Sequence, residues 1–174
     1  MVDDLLSRAI DGGEKQADWS REIPERFWDP GRKLLKAIRQ YQRWHHNRSA
    51  LGRIVCRWAA VRHRFWSIVT GAEIPLNCKI GGGLLIPHPN GIVVHPEAEI
   101  GVNCLIFQQV TIGTRNDLGA PRIAAHVDIG AGAKILGPVK VEAYARIGAN
   151  AVVLTDVARS KAAVGIHKSS GDNQ

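Results

Sequence analysis

The sequence lacks several features that would assign it to a class of protein at once. It has no run of about 18 apolar residues, so no membrane-spanning helix is expected. Its first residues, MVDDLLSRAIDGGEKQ, are acidic and lack a basic stretch followed by an apolar one, so no signal peptide is expected. The three cysteines, Cys56, Cys78 and Cys104, are odd in number and far apart. They favour reduced thiols in a cytoplasmic protein over a disulfide framework or a zinc site.

Acidic residues are missing from one long segment. Between Gly31 and Trp66 there are ten Lys or Arg and no Asp or Glu. Residues 71–174 are almost balanced, with nine basic and eight acidic side chains, so nearly all of the net charge of +7 is N-terminal. Three interpretations of the basic segment stay open: an oligomerisation bundle with solvated charges, contact with an anionic membrane surface, or nucleic acid binding. The first two are favoured, and no nucleic acid partner is predicted.

What the sequence does contain is an apolar residue at every sixth position from Ile74 onward. A period of six fits neither a helix nor a single strand. It is typical of hexapeptide repeats, in which three short strands form one triangular coil of a parallel β-helix. A small or apolar residue follows most of these positions by four, and the length corresponds to about four coils. The predicted core positions are Ile74, Ile80, Ile86, Val94, Ile100, Ile106, Ile112, Ile123, Ile129, Ile135, Val141, Ile147 and Val153.

The period of six fails at two places. Ile86 and Val94 are separated by eight residues, and Ile112 and Ile123 by eleven. The intervening stretches PHPNGI and GTRNDLGAPR therefore carry extra residues that must leave the coil. Because repetitive side chains fill the interior of a β-helix, chemistry is expected where the repeat is interrupted.

The basic segment is predicted to be helical. Leu34, Leu35, Ile38 and Tyr41 have the spacing of one helix, and a second series follows with alternating steps of three and four. Asn47 and Ser49 can separate and cap the two helices, and Gly71 can end the second. No structure is assigned to residues 1–30. The apolar series of the second helix is Leu51, Ile54, Val55, Trp58, Val61, Phe65 and Ile68.

Three stretches carry a family resemblance: TGAEIPLNCKIGGGLLIPHPNGIVV, CLIFQQVTIG and VDIGAGAKILGPVKVEAYARIGANAVVLTDV. Over roughly 65–165 the chain resembles the serine acetyltransferase branch of the hexapeptide-repeat acyltransferases. It is also similar to O-acetyltransferases of capsule, exopolysaccharide and colanic-acid clusters. The resemblance implies a mainly β, left-handed β-helix at 71–165, after a helical segment at 1–70 and before a tail at 166–174. It also implies a homotrimer or a dimer of trimers, with acetyl-CoA as co-substrate between subunits and no metal.

The resemblance also implies the catalytic residues. The family pattern of an acid, a histidine fifteen residues later and a glycine three further on corresponds to Glu73, His88 and Gly91. An imidazole can remove a proton from a hydroxyl and return it to a thiolate, so His88 is the predicted general base and acid. Glu73 is predicted to orient His88 as the acid of a catalytic triad does. The plain alternatives are a surface-loop histidine and a solvated glutamate.

The remaining predicted site residues divide between the acceptor and the cofactor. Backbone near Gly113 is the predicted oxyanion donor, and small residues are expected to let pantetheine approach the coil. Arg146, Lys161 and Lys168 are alternatives to Lys134 for the CoA phosphates. The predicted acceptor-binding residues are Asn90, Gln108 and Gln109, and the predicted cofactor-binding residues are Gly113, Ala131, Ala149 and Lys134.

The sequence departs from the serine-specific pattern of the family. Pro87 stands where an aspartate is usual, Gly119 and Ala120 replace an Arg-His pair, and His95 and Pro96 replace Gly-Glu. These losses favour the hydroxyl of a sugar or glycolipid in polysaccharide biosynthesis as the acceptor, with L-serine as the alternative. A non-catalytic scaffold is a further alternative. The predicted location is the cytoplasm, with peripheral contact at the inner face of the membrane.

A zinc site of the kind found in carbonic anhydrases of this fold is not predicted. Those sites use His-x4-His with a third histidine, whereas His88 and His95 are seven residues apart. His95 is interpreted as a groove-lining or solvent-facing residue.

Overall fold

The computed structural model describes residues 16–116 and 118–168. A 3₁₀ turn at Trp19–Glu22 is followed by helix α1 (Pro30–Trp44), helix α2 (Ala50–Thr70) and then short strands alone. The strands are β1 (Lys79–Ile80), β2 (Val93–Val94), β3 (Glu99–Ile100), β4 (Leu105–Ile106), β5 (Thr111–Gly113), β6 (Arg122–Ile123), β7 (Asp128–Ile129), β8 (Lys134–Leu136), β9 (Lys140–Val141), β10 (Arg146–Ile147), β11 (Val152–Val153), β12 (Ala162–Ala163) and β13 (Ile166–His167).

The strands form three parallel sheets that make the three faces of a prism. The first sheet has the order β1-β3-β6-β9, the second β12-β10-β7-β4 and the third β13-β11-β8-β5-β2. Successive strands of the chain pass from one sheet to the next, and each pairs with the strand one coil away. Ile100, for example, lies between Ile80 and Ile123 in register. The predicted parallel β-helix is confirmed.

The period-six residues fill the interior of this prism. All thirteen predicted positions, from Ile74 to Val153, are at most 9% exposed. Cys78 and Cys104 occupy the smaller interior positions, and burial raises the pKa of each thiol to about 11. Neither thiol is therefore ionised at neutral pH, which agrees with their interpretation as small apolar fillers.

The helices begin and end where the sequence predicts. Ser49 caps α2 by accepting a hydrogen bond from the amide of Gly52 (3.0 Å), and Gly71 ends it in the left-handed conformation (φ 65°). Within the described ranges, no helix combines the length and the apolar character needed to cross a membrane.

The face of α2 that packs inward is not the one that carries most of the apolar series. Its buried residues are Gly52, Ala59, Trp66 and Thr70, whereas most of the predicted apolar series faces outward. Small residues at 52 and 59 allow the close approach that large ones would prevent. The two tryptophans of α2 therefore differ in burial, since Trp66 lies in the core and Trp58 is exposed.

Helix α1 closes the N-terminal end of the β-helix. The first coil has backbone carbonyls with no further coil to bond, and side chains of α1 supply the missing donors. The Arg39 guanidinium donates to the carbonyls of Ile80 and Gly81, both at 2.6 Å, and to the buried Glu22 carboxylate at 2.8 and 3.0 Å. Glu22 in turn accepts from the amide of Leu84 (3.2 Å). The helical segment and the coil are thereby joined by polar bonds as well as by a shared core.

Replacing Arg39 with Met is expected to lower the free energy of unfolding by about 1–3 kcal/mol, the cost of leaving buried polar groups unsatisfied. The carboxylate of Glu22 and two carbonyls lose their donor, while the methionine keeps the apolar stem. The measurement is chemical denaturation followed by circular dichroism. Arg122→Met is the matched control, because Arg122 is exposed and only faces Glu99 at 3.8 Å. Equal effects of the two changes would contradict the assignment of Arg39 as the cap.

Candidate active site

One edge of the prism, between the second and third sheets, collects most of the predicted site residues. We call it the site edge and define it by one turn residue from each of four coils. Backbone bonds of 2.8 Å connect the levels: the amide of Gln109 donates to Asn90, that of Gly132 to Gln108 and that of Asn150 to Ala131. The four residues of the site edge, in order along it, are Asn90, Gln108, Ala131 and Ala149.

Each turn of the site edge depends on a residue in the left-handed conformation. Gly91, Gln109, Gly132 and Asn150 have φ between 57° and 73°. At Gly91 an added Cβ would also lie 3.2 Å from the Cγ atom of Gln109 in the next coil. The glycine after the histidine motif is thus explained by backbone conformation and by close stacking of Gln109.

His88 lies at the upper end of the site edge, in the turn that interrupts the repeat. It is exposed, and its ring stacks loosely on Phe107, with centroids 6.5 Å apart. Glu73 is also exposed, and its backbone pairs with Val93 at the start of the third sheet. Among the described residues of the single chain, no hydrogen bond or ion pair joins the Glu73 carboxylate to His88, so their catalytic pairing stays a prediction.

Lys134 lies beside the same edge. Its ammonium donates to the backbone carbonyls of Gln109 (2.7 Å) and Gly132 (3.0 Å). An ammonium has three donors, so one N–H of Lys134 is left for a phosphate or another acceptor. These two hydrogen bonds also hold the ammonium of Lys134 on the side of the site edge that carries Gln108 and Gln109.

Gly113 is the predicted site residue that the single chain does not bring to His88. It ends strand β5 on the far side of the third sheet, where its carbonyl accepts from Gly137 (3.0 Å). The long interruption after Gly113 leaves the coil at that second edge. Within one chain, His88 and the start of this interruption therefore lie at opposite edges of the third sheet.

The residues that replace the family's serine-binding groups lie in two separate places. Pro87 lines a hollow of about 310 Å³ with Trp28, Asp29 and Arg32, directly beside His88 in sequence. Gly119 and Ala120 line a second hollow of about 740 Å³ on the first sheet. In that second hollow the hydrogen bond from Lys79 lowers the pKa of Glu99, which also faces Arg122.

Sequence reasoning missed three features of the site. The ring of Phe107 packs beside His88, and Trp28 reaches the coil from the N-terminal segment. The Oε1 atom of Gln108 is buried and has no hydrogen-bond partner among the described residues. Phe107 could have been noticed as a bulky aromatic directly before Gln108. The approach of Trp28 depends on the docking of α1 and has no signal in the sequence.

The described part of the chain contains no cluster of three or more His, Cys, Asp or Glu side chains placed to hold a metal ion. His95 is half-buried, and its Nδ1 atom accepts from the amide of Glu97 (3.2 Å).

Comparison with known proteins gives one consistent family. The chain is 40% identical over 126 residues to a serine acetyltransferase of Mycobacterium tuberculosis, covering 71% of this chain and 53% of that protein. A soybean serine acetyltransferase complexed with serine superposes with a TM-score of 0.66 at 35% identity, covering 79% of this chain and 55% of that one. A serine acetyltransferase in complex with CoA gives a TM-score of 0.66 at 34% identity, covering 80% and 55%.

The chain resembles the serine acetyltransferase branch of the hexapeptide-repeat acyltransferases. Its fold is the left-handed parallel β-helix of these neighbours, as predicted. No family model matches the sequence. The chain spans about half the length of the curated relatives that it matches, between 42% and 58% of each.

Proposed function

We propose that this chain transfers the acetyl group of acetyl-CoA to a hydroxyl. The observation that carries the proposal is the site edge, where an exposed histidine in an interrupted repeat stands above a column of turns that ends in the small residues Ala131 and Ala149. Homologous serine acetyltransferases, one of them in complex with CoA, support acetyl transfer as the reaction. Neither the column nor the histidine has an evident role in a passive scaffold.

The chemistry assigned to His88 is a proton relay. Its imidazole takes the proton of the acceptor hydroxyl while the oxygen attacks the thioester carbonyl, giving a tetrahedral oxyanion. The carbon–sulfur bond then breaks, and the imidazolium returns the proton to the sulfur. The products are an acetyl ester and the free thiol of CoA. Glu73 is proposed to stabilise the imidazolium from the coil above, as a positioning residue.

The cofactor is proposed to lie along the site edge below His88. Three coil spacings separate Asn90 from Ala149, or about 14 Å at the usual strand spacing. This length suits the extended pantetheine arm, and the small side chains at 131 and 149 leave the backbone accessible. Lys134 is placed to offer its remaining N–H to a CoA phosphate.

The acceptor favoured by the relatives is L-serine, ahead of the sugar hydroxyl that the sequence departures suggest. A sugar acceptor remains the second candidate because of Pro87, Gly119 and Ala120. Free serine carries an ammonium and a carboxylate, and both need partners once they lose water. Arg122 and Glu73 are the nearest replacements in sequence, yet Arg122 faces Glu99 on the first sheet. A role in polysaccharide biosynthesis has no support from the relatives.

We also propose that the active form is a trimer. His88 and Gly113 lie at opposite edges of the third sheet, so the loop of one protomer can meet the site edge of the next. A cytoplasmic location is proposed from the unpaired buried thiols of Cys78 and Cys104. The division at 70/71 and 165/166 and the dimer of trimers stay predictions.

A thiol-release assay with acetyl-CoA tests the function and the acceptor together. We expect CoA release with L-serine at millimolar or lower concentration, above the rate of hydrolysis without acceptor. Turnover with sugar nucleotides or glycolipids and none with serine would reverse the order of the two acceptors. Absence of acetyl-CoA binding, measured by calorimetry on the full chain, would contradict the proposed activity itself.

A further inference from the structure

The outer face of helix α2 carries an apolar seam that the described structure leaves uncovered. Its residues recur with alternating steps of three and four, so they occupy an arc of about 100° along the whole helix. The opposite arc packs inward and already holds α2 in the fold. Each member of the seam is between 52% and 73% exposed: Leu51, Ile54, Trp58, Val61, Phe65 and Ile68.

A continuous apolar strip of this kind differs from the single exposed side chains of most surfaces. From Leu51 to Ile68 it extends about 25 Å along the helix axis. Its middle consists of two aromatic side chains, Trp58 and Phe65. Strips of this size generally mark a surface that binds something.

The charges beside the seam show what kind of partner fits. Arg53, Arg57 and Arg64 are exposed and follow one border of the arc. Within the described ranges, none of the three takes part in an ion pair with Asp or Glu. The seam is therefore apolar at its centre and positive along one border, and neither α1 nor α2 contains an acidic residue.

A second copy of this helix is a poor match for such a surface. Paired helices normally place opposite charges beside the apolar seam. Here, an antiparallel pair would bring the arginine borders of the two copies together, and a parallel pair would place each arginine border beside a border without acidic residues. In either orientation, no ion pair between the two helices would accompany burial of the apolar side chains.

An anionic lipid bilayer offers apolar surface for the seam and the negative charge that both helices lack. We infer that α2 lies in the plane of an anionic membrane surface, with the seam in the headgroup and acyl boundary and the arginines at lipid phosphates. Basic residues near such a surface each contribute attraction, and Trp is favoured at the boundary. An amphipathic helix with an aromatic and aliphatic face and an arginine rim has the composition of an interfacial helix.

The position of α2 would bring the site edge to the membrane. The helix ends at Gly71, whose carbonyl accepts from the amide of Gly91 (3.0 Å) next to Asn90. Membrane contact would place the turn that carries His88 close to lipid-linked hydroxyls. This consequence rests on the second candidate acceptor, a sugar hydroxyl carried on a lipid, whereas binding to the membrane does not.

Co-sedimentation with vesicles tests the inference on the full chain. We expect binding to phosphatidylcholine vesicles that contain roughly one third phosphatidylglycerol, and little binding to phosphatidylcholine alone. Raising NaCl from about 0.05 to about 0.5 M should weaken the binding, because salt screens exposed charges. Failure of the wild-type chain to bind anionic vesicles at low salt would overturn the inference.

Matched pairs of variants test whether vesicle binding depends on the seam and its arginines, rather than on the total charge and hydrophobicity of the protein. Ile68→Glu should weaken binding about tenfold or more. Ile166→Glu, at a side chain of similar exposure on the last strand, should change it less than about twofold. R57Q/R64Q should weaken binding about 30-fold, from about fivefold per arginine, and R115Q/R146Q should not. Equal effects within either pair would overturn the assignment to α2.

Analytical ultracentrifugation without lipid tests whether a second copy of the chain, rather than a membrane, covers the seam. We expect Ile68→Glu and wild type to have the same mass in solution. A lower mass of the variant, together with unchanged vesicle binding, would show that a second copy covers the seam and would refute membrane contact. Because both measurements work without acetyl-CoA, their failure is distinct from failure of the proposed acetyl transfer.

Discussion

Replacing His88 with Ala is expected to lower kcat for acetyl transfer by about 10²–10⁴, the usual contribution of a positioned acid–base group. Alanine removes the group that accepts the hydroxyl proton and returns it to sulfur. Because His88 is exposed and its stacking on Phe107 is loose, the fold should be unaffected. The measurement is steady-state thiol release with acetyl-CoA and the acceptor that the wild type uses.

The matched control for His88 is another histidine in a turn of the same prism. His126 lies at the edge between the first and second sheets, where its ring stacks on Tyr144 with centroids 4.8 Å apart. His126→Ala should keep kcat within about twofold of wild type, because it is remote from the site edge. If His88→Ala retained more than half of wild-type turnover, the proposed relay would be wrong, whatever the acceptor.

Glu73→Gln should act differently from His88→Ala. As a positioning residue, Glu73 affects the reaction through the imidazolium, so its loss should lower kcat less than loss of the histidine. It should also alter the pH dependence of kcat, whereas a solvated glutamate would leave the pH profile unchanged. A profile identical to wild type would remove Glu73 from the mechanism and leave His88 in place.

Replacing Ile135 with Ala is expected to lower the free energy of unfolding by about 2–5 kcal/mol. Ile135 is fully buried and lies in register between Ile112 and Val153, one coil away on each side. Because all three stack in one column, neighbouring coils cannot close the cavity without moving their own core side chains. The measurement is denaturant unfolding at fixed protein concentration, since association would contribute to stability.

The control for Ile135 is the same truncation at a surface position. Ile166 is 69% exposed on the last strand, so Ile166→Ala should change stability by about 0.5 kcal/mol or less. Similar losses for the two variants would mean that the column of aliphatic side chains is not the main source of stability. That result would contradict the energetic basis of the fold assignment.

The orientation of helix α2 was not predicted from the sequence. The spacing of its apolar residues correctly indicates a helix, but the same spacing is compatible with a face turned inward or outward. The inward face uses Gly52 and Ala59, whose small size allows close packing, together with Trp66. A hydropathy pattern cannot identify such a face, because glycine and alanine contribute little to its hydrophobicity.

The roles of the site residues stay predictions, although the structure shows where these residues lie on the β-helix. His88, Asn90 and Gln108 lie near one edge because the intervals between them match whole coils once the extra residues are subtracted. Gly113 stands across the third sheet from His88, so its assignment to the same site requires a neighbouring protomer and stays a prediction. The repeat pattern shows that a residue lies in a turn. Which edge of the prism that turn occupies depends on how many residues each preceding strand and turn contains.

The amino-acid sequence alone determined the β-helix, its buried column and the two interruptions of the repeat. Those features are local: each coil repeats the pattern of the previous one, so a period of six specifies both the turn and the interior side chain. Only the tertiary structure decided which edge carries the site, that Arg39 and Glu22 close the first coil, and that the α2 seam stays uncovered. These features depend on contacts between distant segments, and no periodicity within one segment encodes the face that a neighbour will cover.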